Sequence, residues 1–304
     1  MGPAPFRPHA LRGRIFRGRE AVAAGLLSPE QLRSRAWRRL FHGVYADSRL
    51  TITHATRCAA ATEFVLPAGS VIAGRSAARL YGSQAARDDD RVEALAPRAS
   101  VIVPYAGVVV HQGQLAPEDQ VQREHFAITT PVRTCWDLAC WLPPVEAVVI
   151  IDQLLARGVV SPAELEAYRR KRRTEKPTPK GMRRYERVLT LVDGGAESPQ
   201  ESRLRVRLVL AGLPRPQTQY VVRNRGRFVA RLDMGWPEYH LGAEYDGQDH
   251  AGQLDRDRKR HNAILTAEWD VLYVTAKRLR DDFDGIVAEV RAAMRRRRAK
   301  ALHT

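Results

Sequence analysis

Residues 240–250 read HLGAEYDGQDH, and this stretch decides how the C-terminal third of the chain is understood. Side chains alternate along a strand, so Leu241, Ala243 and Tyr245 take one face. Glu244 and Asp246 take the other, with His240 and Gly242. Two carboxylates on one strand face, in a chain of 304 residues with a formal net charge of +16, mark either a metal site or an acidic turn that ends a strand.

Upstream, TQYVVR (218–223) and RFVARLDM (227–234) read as two further strands. Asn224-Arg225-Gly226 is the hairpin turn between them, and Trp236-Pro237 closes the second. Asp233 is expected at the end of that second strand. Before them, ESPQESRLRVRLVLAGL (197–213) reads as a helix with Ser198 as N-cap, Pro199 next and Gly212 as its stop. Glu201 shares a stripe with Leu204, Leu208 and Ala211. It is either a core-facing carboxylate with a partner or a capping residue three positions after Ser198. Downstream, QLDRDRKRHNAIL (253–265) reads as a helix with Leu254, Arg258, His261 and Leu265 on one stripe. A buried strand follows at 271–275, and a helix over 281–300 begins with acids and ends in arginines. The order is α-β-β-β-α-β-α, with the last strand returning beside the third through a crossover helix.

This order brings Asp233, Glu244 and Asp246 to one sheet end, with Glu201 approaching from the helix. Converging carboxylates repel one another, and a divalent cation removes the conflict. Hard oxygen ligands without cysteine suit Mg²⁺ or Mn²⁺ rather than Zn²⁺. Such an ion can hold a scissile phosphate and generate hydroxide. The competing reading makes residues 246–247 a plain turn, Asp233 a strand terminator and Glu244 half of an ion pair.

The pI of about 10.4, carried mostly by arginine, favours a polyanionic partner through phosphate contacts. The hydrophobic fraction of 44% is enough for ordinary cores. No run of about 18 apolar residues is present, so no membrane span is expected. The N-terminus lacks an apolar signal region, and Cys58, Cys135 and Cys140 have no metal spacing; a cytoplasmic protein is expected.

Nearer the N-terminus, residues 19–26 and 28–37 read as two short helices, the second with Ser28 as N-cap and Pro29 at its first position. WRRLFHGVYA (37–46) reads as a hairpin turning at Gly43. Two short helices and a basic hairpin fit a reduced winged helix-turn-helix over 1–50, with Arg33, Arg35, Arg38 and Arg39 facing nucleic acid. Residues 51–173 read as a mixed α+β middle domain. It has helices at 54–66, 130–142, 144–158 and 161–173, a strand end followed by a helix over 70–82, and short strands at 92–95, 100–103, 107–111 and 126–129. TEKPTPKGM (174–182) reads as a linker; with the lead-in helix after it, it occupies 174–194, ahead of a domain over 195–304.

The α-βββ-α-β order, with an acid in the first helix, Asp on the second strand and Glu on the third, resembles the PD-(D/E)XK endonuclease superfamily. More narrowly, ESPQESRLR, GLPRPQTQ, RLDMGWPEYHLGAEYDGQDH, DRDRKRHNAIL and WDVLYVTA resemble the uncharacterised domain family numbered 559, grouped with very-short-patch-repair endonucleases. The resemblance covers about the last third of the chain. It implies an α/β, restriction-endonuclease-like fold and a Mg²⁺ or Mn²⁺ site built from Asp233, Glu244 and Glu201. The superfamily's usual lysine, two positions after the Glu, is Asp246 here. Asp246 would serve as a ligand or base, His250 would handle a proton, and Lys259 or Arg260 would restore the missing charge. Arg256, Arg258 and Arg260 would contact phosphates. REAVAAGLLSPEQLRSRAWRRLFHGVYA, GRSAARLYG and TTPVRTCWDLA are similar to the AbiEi-type antitoxin family, which implies a DNA-binding module at the N-terminus.

The expected function is that of a metal-dependent DNA endonuclease positioned by its N-terminal module. The rival is a non-catalytic, antitoxin-type transcriptional regulator carrying a degenerate nuclease fold. No aromatic RNA-binding motif is evident, and the sequence does not separate DNA from RNA as the nucleic acid.

Overall fold

The computed structural model describes residues 5–246 and 254–301, with side chains placed over 5–246 and 259–300. The protein is mixed α/β and divides into two compact units, 1–141 and 142–304. Among the described residues, no helix is long and apolar enough to cross a membrane.

The first unit begins with β1 (Ile15–Arg17), α1 (Gly18–Ala23), α2 (Pro29–Leu32), β2 (Trp37–Phe41) and β3 (Val44–Asp47). These strands form an antiparallel sheet in the order β1-β3-β2. α2 starts as expected, with Ser28 and Gln31 in a reciprocal capping box. It ends after one turn rather than running to residue 37. Ala36 N–H donates to the Ser34 hydroxyl, and Trp37 is drawn into the ladder opposite Asp47.

The rest of this unit holds α3 (His54–Phe64), β4 (Val71–Ile72), α4 (Gly74–Leu80), β5 (Val92–Pro97), β6 (Val108–Gly113), β7 (Gln120–Gln122), β8 (Ala127–Thr129) and α5 (Pro131–Trp141). The strands pair in the order β6-β5-β4-β8-β7. Residues 100–103 are not a strand. β5 and β6 run parallel, so the chain between them must cross back and has no partner to pair with. Leu40, Phe41, Val44 and Ala46 share one core with Cys58, Ile72 and Ile128.

The second unit holds α6 (Pro144–Ala156), α7 (Pro162–Thr174), α8 (Met182–Leu189), α9 (Pro199–Leu210), β9 (Gln217–Asn224), β10 (Arg227–Trp236), β11 (Leu241–Asp246), α10 (Leu254–Thr266), β12 (Asp270–Thr275), α11 (Ala276–Asp281) and α12 (Phe283–Ala301). Residues 174–194, expected as linker and lead-in, lie inside this unit. Arg169 of α7 pairs with Glu186 of α8, and the Tyr185 hydroxyl donates to the Leu165 carbonyl. Buried Asp152 of α6 binds Arg205 of α9, at side-chain exposures of 1% each.

The sheet runs β12-β11-β10-β9, antiparallel except for the parallel β11–β12 pair, as the crossover predicted. The hairpin turn at Arg225 (φ 49°) and Gly226 (φ 80°) has both central residues left-handed, the form that matches strand twist. One face of the sheet packs Met234, Trp236, Leu241 and Ala243 against Leu204 and Leu208 of α9 and Ile286 and Val290 of α12. The other packs Ala230, Leu232 and Val222 against Ile264 of α10 and Trp269. Strict alternation would put Ala230, Leu232, Met234 and Trp236 on one face. They enter two different cores, so β10 reverses its facing at Asp233. Gln219 lies across from that point, between the Tyr220–Leu232 and Thr218–Met234 pairs, and its φ is +50°. A non-glycine residue in this region is strained, and here it lets β9 turn over together with β10.

Candidate functional site

The reversal at Asp233 positions the site. Asp233 was expected to end its strand, but β10 continues to Trp236. It falls next to the Met234–Ala243 pair, directly across from Glu244. Its Oδ2 accepts the Tyr245 N–H at 2.8 Å, so the side chain takes the place of a backbone acceptor in the ladder. Burial, reinforced by the charges of Glu201 and Glu244 and opposed by the Tyr245 N–H and Arg260, pushes the Asp233 carboxyl up to about 6.

Glu244 is buried on the α10 side, with its side chain 11% exposed. Arg260 caps it with both terminal nitrogens, one of them at 2.9 Å from Oε2. The same guanidinium donates to the Arg231 carbonyl at 3.0 Å. Arg260 therefore supplies the positive charge at Glu244, while Lys259 is exposed. It was also expected to contact phosphate, and in this structure it contacts a carboxylate. The ion pair proposed for Glu244 in the competing reading is present. The stripe expected on the helix is displaced by one residue at its C-terminal end. Ile264 is its buried anchor, while His261 is exposed and Leu265 is 52% exposed.

Glu201 is half-buried near this pair without joining it. Its backbone N–H is capped by Ser198 Oγ at 3.1 Å, and its Oε2 accepts from the Glu197 N–H at 2.9 Å and from Gln219 Nε2 at 3.1 Å. Among the described residues, no three His, Cys, Asp or Glu side chains are placed to hold one metal ion. Asp246 is exposed at the end of β11. His240, counted with the β11 face, precedes that strand in a left-handed turn (φ 46°) and stacks on Trp269 at 5.7 Å. His250 lies outside the described residues, as do the side chains of Arg256 and Arg258.

Sequence reasoning passed over Gln219. Its signal was faint: one polar residue among several at the start of a mostly polar strand, in register with Asp233. Gly242 also serves the site. A Cβ there would meet the Leu232 Cδ1 at 2.4 Å, so the glycine lets the reversed strand press against β11.

A divalent cation fits this donor set in its chemistry. Asp233 and Glu244 offer oxygens only, and Mg²⁺ is usually held by one or two carboxylates plus substrate phosphate and water. A cation already stands at Glu244, in the form of the Arg260 guanidinium.

In the first unit, Arg33, Arg35, Arg38 and Arg39 are all exposed. Arg38 and Arg39 are consecutive on β2 yet both face solvent, because β2 is an edge strand. The one-turn α2, about 6 Å long, is too short to line a major groove, so the arginines sit on the turn and hairpin instead.

Two proteins of Mycobacterium tuberculosis are similar to this chain: "Uncharacterized protein MT2308" of strain CDC 1551 / Oshkosh and "Uncharacterized protein Rv2248" of strain ATCC 25618 / H37Rv. Each is 27% identical over 258 residues, covering 83% of this chain and 90% of the relative. The likeness is longer than either compact unit, so it runs through both. No family model and no solved structure matches the chain.

Proposed function

We propose that residues 195–304 form a divalent-metal-dependent nuclease domain acting on phosphodiester bonds of DNA, and that the exposed arginines of the N-terminal region help hold the chain on that nucleic acid. The observation that carries this reading is the facing pair Asp233–Glu244 on β10 and β11. Asp233 there is pushed up to about 6 by burial and by two neighbouring carboxylates. Carboxylates crowded together in this way, with one pKa pushed up, are typical of functional sites. The α-βββ-α-β order of α9, β9, β10, β11, α10 and β12 supports it further. Asp233 and Glu244 would hold Mg²⁺ or Mn²⁺, with Glu201 in supporting contact through Asp233. The ion, when bound, would polarise a phosphate and lower the pKa of its water. Gln219 keeps Glu201 turned toward the β9–β10 reversal, and the Tyr245 N–H fixes the Asp233 carboxyl.

The bidentate Arg260–Glu244 contact favours a second reading, a non-catalytic DNA-binding regulator of antitoxin type in which the guanidinium has replaced the metal for good. The two readings part in a cleavage assay of the full chain with Mg²⁺ or Mn²⁺ on several DNA forms, with an RNA arm. The nuclease reading expects cleavage that Asp233→Ala and Glu244→Ala abolish. No cleavage of any substrate, or cleavage indifferent to both substitutions, overturns it.

A further inference from the structure

Arg260 has three properties that a purely structural arginine does not combine. Its fork grips a buried carboxylate, yet its own side chain is 38% exposed. Its place on α10 is fixed four residues before Ile264, which is 1% exposed, so its Cα stays over the sheet whichever way its long side chain points. Its fork geometry suits carboxylate and phosphate alike. Among the described residues, the charge around it is also incomplete: Arg260 is bonded to Glu244, while Asp233 beside it takes its hydrogen bond from a backbone N–H.

We infer that Arg260 is a resident counter-ion, holding Glu244 in the metal-free protein and moving to a nucleic-acid phosphate when a divalent cation takes the carboxylates. This rests on the metal-site reading above. One guanidinium balances one of the two facing carboxylates. A divalent ion balances both, which is what displaces the arginine. The displaced guanidinium stays tethered at the same sheet end, where the phosphodiester brought to the metal carries the next unbalanced negative charge. The loss of Glu244 and the gain of phosphate are therefore one event, and metal and nucleic acid bind with mutual reinforcement.

The test uses the full chain and Mn²⁺ as the probe. Calorimetric titration compares wild type, Arg260→Gln and Glu244→Gln, with thermal unfolding as a check that each variant folds. Arg260→Gln is expected to bind Mn²⁺ roughly tenfold more tightly than wild type, and Glu244→Gln to lose the site. Arg260→Lys, which keeps the charge without the fork, should fall between wild type and Arg260→Gln. The salt dependence of binding to a phosphorothioate duplex, which hydrolyses slowly, is then measured with Mn²⁺ and with chelator. In Mn²⁺ the Arg260→Gln slope should be shallower by about one ion. With chelator it should match wild type. Equal or weaker Mn²⁺ binding by Arg260→Gln, or the same change of slope in both conditions, overturns the inference. If wild type binds Mn²⁺ through Glu244 and Arg260→Gln does not tighten it, the counter-ion role alone fails. If neither binds Mn²⁺, the metal-site reading fails and takes this role with it.

Discussion

Two arginine–carboxylate pairs of the second unit make opposite uses of the same chemistry. Asp152 and Arg205 are each 1% exposed, and Asp152 is saturated: Arg205, the Ser202 hydroxyl and the Asp193 N–H all donate to it. Arg205 spends another nitrogen on the Leu191 carbonyl at 2.7 Å. That pair ties α6, α9 and the residues after α8 into one body, and water has no route to either charge. Glu244 and Arg260 have a comparable contact but an open side, and a second carboxylate, Asp233, stands next to them with no cation of its own among the described residues. The lesson is that burial of both partners makes an ion pair part of the scaffold. Burial of the carboxylate alone leaves the cation exchangeable.

The sharpest way to break this contrast is at Asp152. Asp152→Ala leaves Arg205 charged and sealed, and should cost about 3–5 kcal/mol in a denaturant titration. A loss below about 1 kcal/mol would mean that the pair is not the scaffold described. Arg260→Gln should cost less, about 1–2 kcal/mol in the same titration, because the open side of the pair lets water reach Glu244 once the guanidinium is gone.

Asp233 gives the next effect, through pH. Its folded-state carboxyl sits at about 6, above the ordinary 3.8, so the folded protein holds that proton more tightly than the unfolded chain does. The associated stability is complete below about pH 4 and is lost as the pH rises through 6, a span of about 3 kcal/mol. Asp233→Asn should flatten this part of the stability curve and leave the protein more stable than wild type at pH 8. A wild-type curve that rises between pH 4 and 7, with no change of slope in Asp233→Asn, would contradict the charge crowding at the site.

A comparably small effect is predicted at Gln219. Gln219→Val places a β-branched residue at φ +50° and removes the bond to Glu201, and should cost about 1–2 kcal/mol. Gln219→Gly removes the same bond but relieves the strain, and should be closer to neutral. Equal losses from the two variants would place the cost in the hydrogen bond rather than the backbone.

Much of the second unit was legible because its segments are long and each keeps one period. The helix starting at Ser198, the turn at 225–226 and the parallel return of β12 follow from alternation and capping chemistry. What alternation concealed was its own failure at Asp233: every side chain from Ala230 to Trp236 suits a regular strand, and only the two cores reveal the reversal. The pairing of Arg260 with Glu244 was one option among several basic neighbours, and choosing it required knowing that Ile264, rather than Leu265, anchors α10. The helix expected over 281–300 is α12, but the short α11 before it went unread: Thr275 caps it, and Asp282 (φ −140°, ψ 48°) separates it from α12. At the N-terminus, the helix expected to read DNA shrank to one turn, since Trp37 is bound into the hairpin rather than into a helix.

The reversed strand also limits how this chain can drift. In a regular strand, a slip or a paired insertion of two residues returns every side chain to its own face. β10 has no such period, because Ala230 and Leu232 belong to one core and Met234 and Trp236 to another. A change of length on either side of Asp233 would empty one core and crowd the other. Packing far from any chemistry therefore holds Asp233 in register with Glu244, and the spacing of the two carboxylates is inherited from the strand's two-sided fit.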